Sequence, residues 1–110
     1  MAGKFECYKD KAGEFRFRLV AANGNAILSS EGYKSKSGCA NGIESVRKNS
    51  QDPDRFVKTE TAGGKFRFKL TAKNSQTIGI SQNYASASGR NNGIKSVANN
   101  APDATVVEES

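Results

Sequence analysis

The sequence predicts an α+β fold assembled from two tandem copies of one three-strand, one-helix unit. Three observations carry this reading. Phe66 lies 51 positions after Phe15, and the same offset joins Phe5 to Phe56, Tyr33 to Tyr84, Gly42 to Gly93, Ile43 to Ile94 and Asn49 to Asn100. From residue 4 to residue 52 the copies share roughly twenty identities without a gap, far above chance. Within each copy, "EFRFRLV" and "KFRFKLT" alternate apolar and polar residues at the period of a strand. Downstream, "SKSGCANGIESV" and "SASGRNNGIKSV" change to helical spacing behind a serine.

Taken in order, residues 4–9 and 55–61 read as the first strand of each copy, ahead of turns holding Gly13 or Gly63-Gly64. Residues 14–21 and 65–72 form the second strand. Its Phe, Phe and Leu share one side, and the intervening Arg, Arg or Lys, and Val or Thr share the other. Asn23-Gly24 is a strong hairpin signal because both residues tolerate positive φ, and Asn74-Ser75 is its weaker counterpart. Residues 26–31 and 77–82 make the third strand. Ser35 and Ser86 then offer an N-cap oxygen to a helix of about three to four turns ending near Asn49 or Asn100. The apolar stripe is Ala40, Ile43 and Val46 in one helix, and Ile94, Val97 and Ala101 in the other. "SQDPD" and "APD" end the helices, and Thr105-Val106-Val107 falls where the offset places another first strand. The expected division is one domain over residues 1–110, with repeats at 4–54 and 55–103 and a closing strand at 104–108.

With "FRFRLVAANG", "ILSSEGYKSKSGCANGIESVRKN" and their second-copy counterparts, the chain resembles the YegP-like family of small bacterial proteins over nearly its whole length. The resemblance implies a β3-α-β unit, found in tandem or as a dimer of single copies. It also implies units that share one continuous sheet and exchange their C-terminal strands. The expected fold is therefore two tandem β3-α-β repeats sharing one mostly antiparallel sheet, with two helices on one face and a pseudo-twofold axis. The family's function is uncharacterised, so the resemblance transfers no catalytic, cofactor-binding or metal-binding residue.

Composition narrows the function classes. Only 35% of the chain is hydrophobic and tryptophan is absent, so six Phe and three Tyr must supply much of a lean core. No stretch approaches the roughly 20 apolar residues that cross a bilayer, and the N-terminus lacks a signal-peptide core. A cytoplasmic protein without membrane contact is expected, with Met1 opening an unprocessed chain. Histidine is absent, which removes the usual general base and zinc ligand. Cys7 and Cys39 correspond to Lys58 and Arg90 in the other copy, so neither position requires a thiol; reduced cysteines are expected. "GRNNGIKS" fails as a phosphate loop, because Ile94 stands where the glycine before Lys95 should be. No enzyme, cofactor or metal site is predicted.

The phenylalanines read as core. If Phe5 pairs with Phe17 and Cys7 with Phe15, both pairs point one way, and a helix with a single stripe covers that face. An exposed base-stacking platform would need a second set of aromatics for the core, and the chain has none to spare. On the open side the same register sets Arg16 opposite Glu6. The second copy has Val57 in place of Glu6, which leaves Arg55, Arg67 and Lys69 as an unneutralised basic strip. The Gly38-x-x-x-Gly42 and Gly89-x-x-x-Gly93 pairs suggest close approach of the two helices. Tyr33 and Tyr84 read as seals at the core edge.

Net charge is +6, with most of the excess in the second half. The leading expectation is a non-catalytic interaction module whose open sheet face binds an unknown protein partner. The alternative is nucleic-acid binding through Arg16, Arg18, Arg55, Arg67 and Lys69. A monomer is expected, because a tandem chain already contains both halves of the pseudo-dimer.

Overall fold

A computed structural model of the chain describes residues 3–108. Strands β1 (Lys4–Lys9), β2 (Phe15–Val20) and β3 (Ala26–Ser30) precede helix α1 (Lys36–Asn49). Strands β4 (Phe56–Glu60), β5 (Phe66–Thr71) and β6 (Thr77–Ile80) precede helix α2 (Ala87–Asn100), and β7 (Thr105–Glu108) follows. All seven strands lie in one sheet, in the order β4-β5-β6-β3-β2-β1-β7. Every pairing is antiparallel except that of β7 with β1.

The strand after each helix leaves its own copy. β4 follows α1 and pairs with β5, while β7 follows α2 and pairs with β1. Arg47 of α1 adds a side-chain tie, donating to the carbonyl oxygens of Ala101 and Pro102 at 3.1 and 3.0 Å. The pseudo-twofold axis passes through the Ser29–Ile80 pair, residues that occupy the same position in the two copies. Beside it the symmetry fails. Leu28 fills the core where Gly79 has no side chain, and a Cβ on Gly79 would stand 2.8 Å from Leu28 Cγ. One leucine fits at the axis, not two.

Each helix starts as the serines dictate: Ser35 and Ser86 accept from the backbone N–H of Gly38 and Gly89. The helices cover the face that carries Phe5, Phe17, Leu19, Phe68 and Leu70, all fully buried, while Phe15 and Phe66 are half-buried at the edge. Phe5 and Phe17 meet edge to face at 5.8 Å, and Phe56 and Phe68 repeat the contact at 5.6 Å. Burying each of these large side chains contributes about 1.5–3 kcal/mol. On α1, Cys39 rather than the exposed Ala40 faces the core. Ala101, at the end of the second predicted stripe, is buried in the 3₁₀ turn Ala101–Asp103 after α2.

Two predicted arrangements are corrected. The first hairpin pairs Phe5 with Leu19 and Cys7 with Phe17, two residues away from the predicted register. A shift of two keeps every side chain on its predicted face, which is why the core prediction survives it. The glycine pairs serve a different contact from helix on helix. Gly42 and Gly93 sit over the rings of Tyr33 and Tyr84, whose hydroxyls occupy the space a Cβ would need. Those rings stack on Phe17 and Phe68 at 6.2 and 6.3 Å. Burial raises the Tyr33 phenol above its ordinary pKa.

Candidate functional site

With one face of the sheet covered by helices, the other is the surface on which the predicted contact residues gather. Pairing sets a row across it, from Val57 at one edge through Lys69, Ile80, Ser29, Arg18 and Glu6 to Val107 at the other. Alternation places this row opposite the phenylalanine face. A second row sets Thr59 beside Arg67 and Tyr8 beside Arg16.

The two halves of this face differ in charge balance. In the first copy, Arg18 rather than Arg16 stands opposite Glu6, and its Nε donates to Glu6 at 2.5 Å. The Arg18 guanidinium also lies 4.8 Å from the centroid of the Tyr8 ring. Lys4 adds a second contact to Glu6 at 3.1 Å. Arg16 reaches Asp10 at 2.6 Å, where Asp10 also accepts the backbone N–H groups of Ala12 and Glu14. These hydrogen bonds, Arg18's above all for Glu6 and Arg16's for Asp10, hold both carboxyls below their ordinary range.

The second copy is barer than the first. Arg55 is not the free cation the sequence suggested: Asp52, three residues earlier, holds it at 3.3 Å. Val57 lies opposite Lys69, and Thr59 opposite Arg67. Among the described residues, no ion pair holds Arg67 or Lys69. Val57 and Ile80, each 38% exposed, flank Lys69 in its row. The five predicted contact residues therefore share one sheet or its border but not one electrostatic state.

Sequence reasoning missed Asp10 and Asp52 as partners. Asp52-x-x-Arg55 was legible as a local pair, since three residues and a turn bring the two together. Asp10 was less so, because its role depends on the turn geometry that aims it back along β2.

Fold and surface together define the class: a duplicated α+β protein with helices on one side of a shared sheet and an exposed, mixed basic and apolar surface on the other. Comparison with known proteins agrees on the duplication and the fold. A family described as a domain of unknown function, DUF1508, matches residues 10–56 and again residues 62–108. A UPF0339 protein encoded in the 5′ region of the ptx operon of Stutzerimonas stutzeri is 60% identical over 108 residues, covering 98% of this chain and 97% of that protein. The UPF0339 protein YegP of Escherichia coli is 49% identical over 106 residues, covering 96% of each. The solution NMR structure of YegP, a protein of unknown function, superposes with a TM-score of 0.94 at 48% identity, covering 99% of this chain and 94% of that one. The chain belongs to this UPF0339 (YegP) family and carries two tandem DUF1508 domains.

Proposed function

We propose that this chain is a non-catalytic interaction module that docks an acidic protein surface on the second-copy half of its open sheet face. One observation carries the reading: Arg67 and Lys69 stand there without an acidic partner among the described residues, next to exposed Val57 and Ile80. Arginine and aliphatic side chains on a preformed sheet give a partner apolar area to bury and cations to pair, at little ordering cost. The neutralised first half serves as the contrast, since its arginines are already paired with Glu6 and Asp10. The absence of histidine from the sequence supports a binding rather than an acid–base role.

The test is capture of partners by the purified chain and by an Arg67→Glu/Lys69→Glu variant, each with and without nuclease. A protein retained through nuclease treatment and lost with the double variant is the expected result. Retention by the double variant would overturn the assignment of the surface. The same two cations favour a second reading, nucleic-acid binding. It requires capture that nuclease abolishes, with affinity falling by a log–log salt slope of about −2 if these two residues carry the phosphate contacts.

A further inference from the structure

We propose that Cys7 and Cys39 form an oxidisable dithiol, in which Cys7 reacts with a small hydroperoxide and Cys39 then closes a disulfide between β1 and α1. The two Sγ atoms lie 3.4 Å apart, already in hydrogen-bonding contact. A disulfide needs about 2.05 Å, so the two side chains together need to close by roughly 1.4 Å. Both thiols are free, Cys7 partly exposed and Cys39 buried. Both also line a cavity of about 580 Å³ on the helix side of the sheet, together with Phe15, Ile43, Val106 and Lys36. A reagent of hydroperoxide size has room there, and Cys7 is the thiol it meets.

The second copy is built differently at this place. At the two cysteine positions it has Lys58 and Arg90. The Arg90 guanidinium lies over the Phe66 ring at 5.2 Å and donates to the Thr59 carbonyl at 3.3 Å, filling the space above that phenylalanine. In the first copy the shorter Cys39 side chain leaves the cavity bordering Phe15, whose ring carries Lys9 Nζ at 5.6 Å, and β7, which has no counterpart beyond β4, supplies Val106 to its wall. The thiol pair thus sits where the two copies diverge, on the wall of the cavity.

The chemistry balances. The Cys7 thiolate attacks the peroxidic oxygen of ROOH, the O–O bond breaks, and the departing alkoxide takes a proton to leave as ROH. Cys7 is then a sulfenic acid. Cys39 sulfur attacks Cys7 sulfur, the S–O bond breaks, and the hydroxide leaves with the Cys39 proton as water. Two thiols are oxidised to one disulfide, and one hydroperoxide is reduced to an alcohol and water. Burial pushes the Cys39 thiol up to about 12, with the Cys7 hydrogen bond adding to the effect, so Cys39 is protonated in the reduced pair and carries the proton that leaves as water. The bridge would clip α1 to β1 and close the chain between residues 7 and 39.

The experiment is treatment of the full chain with hydrogen peroxide, read by intact mass, non-reducing peptide mapping and thermal melting. The expected product is a monomeric species lighter by two hydrogens, with Cys7 linked to Cys39. It should melt on the order of 10 °C higher than the reduced chain and revert with a dithiol reductant. In a Cys39→Ala variant, oxidation should stop at a Cys7 sulfenic acid that a dimedone-type nucleophile traps; in a Cys7→Ala variant, Cys39 should stay reduced. The proposal is overturned if both wild-type thiols survive peroxide that oxidises a free cysteine peptide, or if the wild-type product is a chain-to-chain disulfide. Over-oxidation of Cys7 without a bridge would overturn it as well. The wild-type mass readout decides the matter even if a variant does not fold.

Discussion

Gly42 gives up the side chain of a mid-helix residue so that a tyrosine can slide beneath α1. The exchange is repeated at Gly93, which makes it a property of the unit rather than an accident of one copy. In a free helix, alanine would be favoured over glycine by about 1 kcal/mol. Here a Cβ would run into the Tyr33 hydroxyl and come within 2.9 Å of Phe17 Cε2, so the packing cost wins. Gly42→Ala is expected to destabilise the fold by about 1–3 kcal/mol, measurable by urea denaturation. If the variant matched or exceeded wild type, the tyrosine would not be what the glycine accommodates. The sequence made the recurrence of Gly42 and Tyr33 visible, but not that the two touch. They are nine positions apart, Tyr33 in the connection before α1 and Gly42 within the helix, so spacing alone suggested the wrong neighbour.

At the scale of elements, the strand–helix junctions are set by buried hydroxyls. β3 and β6 leave the ladder just where Ser30 and Ser81 replace a main-chain carbonyl. Ser30 Oγ accepts the Phe17 N–H at 2.9 Å and donates to the Glu31 carbonyl; Ser81 does the same for Phe68 and Gln82. Removing that oxygen strands a buried N–H, so Ser30→Ala is expected to cost about 1–3 kcal/mol. Native-state hydrogen exchange checks it directly, because the Phe17 amide should lose protection more than its β2 neighbours do. The hairpin turns show a related limit of sequence reading. Gly13, Gly24 and Gly64 have φ of 82°, 89° and 81°, and Ser75 takes φ 70° in the remaining turn. The Asn23-Gly24 signal correctly marked a hairpin. Only its second residue takes positive φ, and the turn closes with a register shift between Leu19 and Val20.

At the scale of the whole molecule, duplication yields one sheet whose halves carry different charge states. The first half holds Glu6 and Asp10 in arginine contacts that keep their carboxyls ionised below the ordinary values of 4.5 and 3.8. A depressed folded pKa stabilises above the unfolded pKa, and that contribution disappears as pH falls through the folded value. An Arg16→Gln/Arg18→Gln variant should therefore melt below wild type at about pH 6, and the gap should narrow below about pH 4. Thermal melts over that range check the sign. A gap independent of pH would mean the arginines act by packing alone. Because both pairs are partly exposed, added salt should shrink the difference as well.

The sequence by itself determined the duplication, the element order, the helix starts at Ser35 and Ser86, and which phenylalanine face is buried. These are local or periodic properties: an N-cap acts within one turn, and strand alternation survives a two-residue slip. Tertiary structure alone decided which carboxylate meets which arginine, what the helix glycines accommodate, and that Cys7 and Cys39 touch. Each of those depends on where elements distant in the chain come to rest, within a few ångströms. A repeat offset carries no such distance, since the two copies share a pattern but diverge at Cys7, Leu28 and Cys39.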